Sequence, residues 1–122
     1  RIAFYANRGY RDWERYDGWS PEGRVAAQQG LITIDSSYSS ELPGVLSRAP
    51  ETGPVFLDPG ENLKLRVFVD KSVVEVFVNG KQCLAVRVYP GRADSTGISL
   101  RSQGKDARIK TLDAWQMKSI YA

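Results

Sequence analysis

The clearest pattern along the chain lies between residues 65 and 80, where strand-forming apolar residues are interrupted at two points. Val and Phe at this density favour a pleated, half-buried surface. The interruptions are Asp70-Lys71-Ser72 and Asn79-Gly80, and both are typical of turns. We therefore predict a three-stranded antiparallel meander.

The two turns also predict a register. Asn-Gly favours a two-residue type I′ loop, because both of its residues tolerate positive φ. A first turn closed around Lys71 and Ser72 predicts the cross-strand pairs Val69 with Val74, Val67 with Val76 and Leu65 with Val78. A two-residue loop at Asn79 and Gly80 predicts the pairs Val78 with Lys81, Val76 with Cys83 and Val74 with Ala85. One face is then almost entirely aliphatic and is predicted to be core. The other face mixes Arg66, Phe68, Glu75, Phe77, Leu84 and Val86.

The rest of the chain predicts short strands separated by turns. We expect them at residues 2–6, at 25–28 and 30–35 joined by a glycine turn, and at 83–89, 97–101 and 107–117. Proline and glycine recur between residues 41 and 62, so at most a short strand at 55–57 is expected there. No helical periodicity competes with these strands. The pattern predicts an all-β fold, a two-sheet antiparallel β-sandwich.

The length of 122 residues fits one domain with a real core. The chain begins at Arg1 and its one methionine is Met117, so we expect an excised piece of a longer protein. Neither a secreted nor a cytoplasmic location is indicated. The single cysteine, Cys83, is predicted to be a small buried hydrophobe.

Composition argues against two classes of partner. The 17 basic residues are interleaved with 14 acidic ones, so the net charge of +3 gives little support to nucleic-acid binding. No apolar run approaches the roughly 18 residues that span a bilayer. We predict neither a nucleic-acid nor a membrane partner.

The candidates for catalysis are few. The chain has no histidine, which removes Ser-His-Asp and Cys-His arrangements and most zinc sites. Asp70 and Glu75 would form a diagonal cross-strand pair roughly 7 Å apart, and a retaining glycosidase needs two carboxyl groups about 5 Å apart. A hairpin tip lacks the enclosed pocket that such chemistry requires, and an Asx-type turn at Asp70 and a nearby Arg66 for Glu75 explain both residues. We predict no catalytic residue, metal or cofactor.

Several motifs together resemble one known family. LRVFVDKSVVEVFVN at residues 65–79, RVYP at 87–90 and STGI at 95–98 are similar to the carboxy-terminal β-sandwich of glycoside hydrolase family 32. LITID at 31–35, SSYSS at 36–40 and LDAWQM at 112–117 extend the resemblance over residues 31–120. The family comprises β-fructosidases, including invertases, inulinases and levanases.

The resemblance implies a concanavalin-A-like sandwich of the jelly-roll type. Residues 1–122 would form one module, with 30–122 matching best, in an enzyme that cleaves β-fructosidic bonds in sucrose or fructans. In that family the catalytic groups come from an amino-terminal β-propeller, whose motifs are not found here. This chain would then be catalytically silent and would support the propeller or mediate a homodimer. The motif residues with an expected structural role are Arg66, Asp70, Ser72, Glu75, Asn79 and Gly80.

An aromatic segment near the amino terminus leaves three interpretations open. Trp13, Tyr16 and Trp19 recur every third residue, with Arg15 between the first two and Arg11 just before Trp13. These rings could cover an edge of the sandwich, form an interface with the catalytic domain, or stack on a fructosyl unit. The third interpretation corresponds to an alternative function, a stand-alone carbohydrate-binding module that binds fructan or sucrose.

Overall fold

The computed structural model describes residues 1–6, 28–46 and 48–121. Six strands occur within these ranges, and no helix does. They form two antiparallel three-stranded sheets, with strand orders β1-β2-β3 and β4-β5-β6. The strands are β1 (Ile2–Tyr5), β2 (Gln28–Ile34), β3 (Glu51–Leu57), β4 (Leu65–Asp70), β5 (Val73–Val78) and β6 (Gln82–Arg87).

The sheet of β1, β2 and β3 corrects one predicted turn. β2 runs through Gly30, which pairs with Val55, and does not bend there. The glycine serves a close approach instead, because a Cβ at this position would lie 2.6 Å from the ring of Phe4 and 2.8 Å from the carbonyl oxygen of Tyr5. Local sequence suggested a turn, whereas the ring packed on the neighbouring strand explains the residue.

β3 is longer than the short strand predicted at 55–57. It includes Pro54, which opposes Leu31. Proline is tolerated because β3 is an edge strand of its sheet, where one side of the backbone needs no ladder partner. The Pro54 carbonyl instead accepts a hydrogen bond of 3.0 Å from Nε2 of Gln82, which joins the two sheets.

The sheet of β4, β5 and β6 confirms the predicted meander. The first turn has the predicted register, with Val67 opposite Val76. The second turn is shifted by one residue, because residues 79–81 all lie in the connection and Val76 opposes Leu84. Leu84 and Val86 therefore pack against the core, and Cys83 is exposed. The predictions that Cys83 is buried and that Leu84 and Val86 face outward are wrong.

The two sheets pack face to face as the predicted β-sandwich. The buried core consists of residues from both sheets, namely Ile32, Ile34, Val55, Leu57, Val76 and Val78. The aliphatic face continues onto β4, but there Leu65, Val67 and Val69 are 44%, 43% and 70% exposed. The prediction that this whole face is core is thus confirmed on β5 and wrong on β4, which lies at the sheet edge.

The strands predicted at residues 97–101 and 107–117 are not formed. Residues 91–121 contain no strand, and their side chains, including Trp115, are exposed. A strand requires a ladder of backbone hydrogen bonds to a neighbour. The backbone hydrogen bond seen within residues 91–121 is local, from the Thr96 N–H to the Asp94 carbonyl. Apolar composition alone was therefore an insufficient guide to these two elements.

Candidate functional site

The aromatic segment predicted to contact sugar or another domain lies outside the described residues. This applies to Arg11, Trp13, Arg15, Tyr16 and Trp19. The three interpretations of that segment therefore stay predictions.

The paired carboxylates lie on an open sheet surface. Glu75 opposes Phe68, and Asp70 opposes Val73 at the end of β4. Neither carboxylate has an ion-pair partner within 4 Å among the residues that the structure describes, so the expected pairing of Glu75 with Arg66 is not formed. The two surface depressions found elsewhere do not include these carboxylates.

The first turn is fastened by Ser72 and not by Asp70. No Asx-type hydrogen bond to Asp70 is found in the described part of the chain. The Ser72 carbonyl accepts a bond of 2.9 Å from the Val88 N–H, and its hydroxyl accepts one of 3.1 Å from Nη1 of Arg87. Both donors come from the end of β6 and the residue after it, so the turn is held from within its own sheet.

The outer face of the meander carries an aromatic pair. Phe68 and Phe77 meet edge to face, with ring centroids 5.9 Å apart and an interplanar angle of 88°. They are 37% and 38% exposed, and Arg66 and Cys83 beside them are exposed. We call Arg66, Phe68, Phe77 and Cys83 the outer-face patch. Aromatic residues and arginine are enriched in protein interfaces, and this patch has that composition.

A second cluster, which we call the turn lock, joins the Asn79 turn to the loop before β4. It consists of Asp58, Glu61, Asn79 and Lys81. Nδ2 of Asn79 donates to Oε1 of Glu61 at 3.0 Å and to the Asn62 carbonyl at 2.8 Å. Oδ1 of Asn79 accepts from the Lys64 N–H at 2.8 Å. The carboxamide therefore uses both its atoms to hold residues 61–64.

Lys81 completes the turn lock electrostatically. Its Nζ lies 2.7 Å from Oε2 of Glu61 and 3.6 Å from Oδ2 of Asp58, and it donates to the Phe56 carbonyl at 3.1 Å. The hydrogen bond from Lys81, followed by those from the Asp58 N–H and Asn79, lowers the pKa of Glu61 to about 2. The same hydrogen bond to Glu61 raises the pKa of Lys81. Both groups are thus charged over the whole neutral range.

A third feature surrounds Tyr38 on the serine-rich turn after β2. The Tyr38 side chain is 99% exposed. Asp35 accepts a bond of 3.0 Å from the Ser37 N–H and pairs with Arg1 at 3.2 Å. Hydrogen bonds from Ser37 are the main cause that lowers the pKa of Asp35. The turn is therefore anchored at its base while the ring extends into solvent.

Two depressions flank Tyr38. One, of about 260 Å³, is lined by Arg1, Asp35, Tyr38 and Ser39. The other, of about 90 Å³, is lined by Tyr38, Ser39, Glu41, Pro90, Gly91, Arg92 and Ser95. Arg92 is held there by Asp94, with Nη2 2.6 Å from Oδ2. An exposed ring beside carboxylates and guanidinium groups offers both stacking and hydrogen bonding to a polar ligand.

Within the described ranges there is no group of three or more His, Cys, Asp or Glu side chains able to hold a metal ion. The same ranges contain no helix with the length and apolar character needed to cross a membrane.

The sequence of the chain, including the meander and its motifs, matches a known protein family. Residues 5–116 match the family model described as glycosyl hydrolases family 32 C terminal. The chain belongs to this family. No solved structure shows a significant match to this family 32 C-terminal chain.

Relatives of the family 32 C-terminal chain carry consistent names. Beta-fructofuranosidase 1 of Zea mays is 42% identical over 82% of the chain and 16% of the relative. Raffinose invertase of Escherichia coli is 44% identical over 86% of the chain and 23% of the relative. Fructan 6-exohydrolase of Beta vulgaris is 42% identical over 52% of the chain and 11% of the relative. The chain therefore spans less than a quarter of the length of these proteins.

Sequence reasoning found some members of these sites and missed others. The motif residues Arg66, Asp70, Ser72, Glu75, Asn79 and Gly80 all lie in the meander. Glu61 and Lys81 were not singled out, although the Asp58-Pro59-Gly60 turn before Glu61 was a usable signal. Tyr38 was noted only as part of the serine-rich motif. No local pattern in the sequence predicts that the Tyr38 side chain is exposed.

Proposed function

We propose that residues 1–122 form the non-catalytic C-terminal sandwich module of an enzyme that hydrolyses β-fructosidic bonds in sucrose or fructans. Its role is to support a catalytic β-propeller domain elsewhere in the same protein. The proposal is supported by relatives named as a beta-fructofuranosidase, a raffinose invertase and a fructan 6-exohydrolase. The chain matches only a small share of each, which leaves most of their length for the catalytic part.

The observation that carries the supporting role is the outer-face patch. Phe68 on the edge strand β4 and Phe77 on the central strand β5 leave more than a third of their surface in water. Burial of apolar area contributes about 25 cal/mol per Å², so a partner that covers both rings gains affinity there. Arg66 beside them adds donors for carbonyl or carboxylate groups. We assign this patch to contact with the catalytic domain.

Catalytic silence is tested by incubating the purified chain with sucrose, inulin and levan. We expect no release of fructose, because Asp70 and Glu75 lie on an open surface and no histidine is present. Release of fructose that Asp70→Asn or Glu75→Gln abolishes would contradict the proposal.

The supporting role is tested by adding the chain to a family 32 catalytic domain produced without its C-terminal part. We expect the chain to bind this domain and raise its thermal midpoint. Phe68→Ser with Phe77→Ser should remove the effect. Tyr38→Ser is the matched control, since it removes an exposed ring from another surface. Equal binding by all variants would refute the assignment, and concentration-dependent dimers of the chain alone would assign the patch to a homodimer.

A second candidate function, carbohydrate binding, is favoured by Tyr38 and its two depressions. The exposed ring offers an apolar face, and Glu41, Arg92 and Asp35 stand within the same surface. Affinity electrophoresis in gels that contain inulin or levan tests it. We expect retardation that Tyr38→Ala abolishes and Tyr121→Ala, which removes another exposed ring, preserves. Identical mobility with and without fructan would exclude this role.

A further inference from the structure

The Asn79 turn combines a reactive dipeptide with an unusually well-held side chain. Asn79-Gly80 is the one Asn-Gly dipeptide in the chain. Gly80 is exposed, and a Cβ built on it would meet nothing within 4 Å. Among the described residues, the Gly80 N–H has no hydrogen-bond partner. The backbone nitrogen next to the Asn79 carboxamide is therefore unhindered and unpaired.

We propose that Asn79 is a site of spontaneous deamidation whose rate is controlled by the turn lock. In the reaction a solvent base takes the proton of the Gly80 N–H, and this nitrogen attacks Cγ of Asn79. A C–N bond forms, the bond from Cγ to Nδ2 breaks, and ammonia leaves with a proton from solvent. Water then opens the resulting succinimide at either carbonyl to give aspartate or isoaspartate. Water is the one co-reactant, and no oxidant or reductant is consumed.

The folded protein restrains the electrophile and not the nucleophile. Both polar atoms of the carboxamide are bonded to residues 61–64, so Cγ is held toward that loop. The carboxamide must leave these three partners before it can swing to the Gly80 nitrogen. Glu61, the acceptor of one bond, is itself fixed by Lys81 at 2.7 Å. Loosening of the Glu61–Lys81 pair therefore increases the population in which Asn79 reacts.

The product cannot rebuild the turn lock. An aspartate at position 79 replaces two N–H donors by an acceptor that faces Oε1 of Glu61 and the Asn62 carbonyl. Two hydrogen bonds become repulsive contacts between oxygen atoms. An isoaspartate also inserts a methylene into the backbone of the hairpin. Deamidation is therefore a slow and irreversible release of the loop at residues 58–64 from the meander.

The experiment follows the amide by peptide mapping with mass spectrometry during incubation of the folded chain at mildly alkaline pH. We expect Lys81→Met to accelerate modification of Asn79 about fivefold, which is the population change for loss of one net hydrogen bond. Lys64→Met is the matched control, since it removes a lysine but keeps the backbone N–H that Asn79 uses. Gly80→Ala should suppress the reaction. Asn62, followed by Leu63, is the internal reference.

Two outcomes would overturn the inference. Equal rates at Asn79 in the folded wild type and in Lys81→Met would show that the turn lock does not control the reaction. In denaturant the turn lock is absent in every variant. If Asn79 deamidates there no faster than Asn62, Asn79 is not a preferred site of deamidation. If Lys81→Met does not fold, Glu61→Gln replaces it, with the same acceleration expected and the same equality of rates counting against the proposal.

Discussion

The two hairpin turns of the meander begin from comparable sequence signals and end in different registers. The turn at Lys71 and Ser72 closes as a two-residue loop, with Asp70 opposite Val73. The turn at Asn79 and Gly80 takes Lys81 into the connection, and Val78 opposes Gln82. Asn79 and Gly80 do have the positive φ values of 51° and 65° that the dipeptide predicts. The local conformation was thus predictable, whereas the pairing that follows it was not.

The partners of the turn residues explain this difference. Ser72 bonds to Arg87 and Val88, which end the same sheet. Asn79 and Lys81 bond to the loop and strand at residues 56–64. A turn held from within its own sheet follows the local signal. A turn whose side chains are bonded outside the hairpin takes the register that those bonds allow.

The largest effect should come from removing the carboxamide of the second turn. Asn79→Ala loses three side-chain hydrogen bonds and places alanine at positive φ, so we expect it to reduce the free energy of unfolding by about 3 kcal/mol. Ser72→Ala loses one bond, and about 1 kcal/mol is expected. Urea unfolding measures both values. Equal losses at the two turns would invalidate the comparison.

Acid should affect the second turn selectively. Because the folded pKa of Glu61 is lowered from 4.5 to about 2, its contribution to stability is present above pH 4.5 and is lost as the pH falls toward 2. Because the folded pKa of Lys81 is raised, its contribution is present below its unfolded pKa of 10.5 and is lost as the pH rises above the folded value. Thermal midpoints between pH 5 and pH 2 should fall less steeply in Glu61→Gln than in wild type. Ser72→Ala should keep the wild-type slope, and a flat wild-type profile would contradict the turn lock.

Backbone conformation offers a smaller test of both turns. Lys71 has a φ of 48°, so Lys71→Gly should relieve strain and raise stability by about 0.5 kcal/mol. Gly80 has a φ of 65°, so Gly80→Ala should cost about 1 kcal/mol. Urea unfolding of the two variants measures both changes. We expect the free energy of unfolding to rise in Lys71→Gly and to fall in Gly80→Ala. A lower free energy of unfolding in Lys71→Gly would contradict the positive φ of Lys71 in the first turn.

The smallest effect on stability, and the most direct test of register, is at Cys83. Because residues 79–81 all lie in the connection, Cys83 is exposed, and a thiol reagent should label it fully in the folded chain. Cys83→Ser should leave the free energy of unfolding, measured in urea, within about 0.5 kcal/mol of wild type. A two-residue loop would place Cys83 on the inner face. If the thiol is protected until the chain unfolds, the register predicted from the sequence is supported and the three-residue connection is contradicted.

Predictability from sequence varied with the range of the interactions involved. The meander, its first register and the sandwich were predicted, because strand propensity and turn residues act over a few positions. The turn at Gly30 was wrong because the Phe4 ring on another strand explains that glycine. The strands at 97–101 and 107–117 were wrong because residues 91–121 form no ladder with either sheet. Among the site residues, Asn79 was recognised for its turn, while its bonds to residues 61–64 were not.

The sequence by itself determined the class of fold and the meander, since these depend on residue type and short spacing. Only the tertiary structure decided that Lys81 belongs to the turn, that Cys83 faces solvent and that Leu65, Val67 and Val69 are left uncovered. A one-residue shift in register reverses every side chain of a strand, which explains Lys81 and Cys83. Leu65, Val67 and Val69 are uncovered because β4 is an edge strand of its sheet. The shifted turn is held by bonds from Asn79 and Lys81 to residues 56–64, which lie outside the hairpin, so the hairpin sequence alone does not predict them.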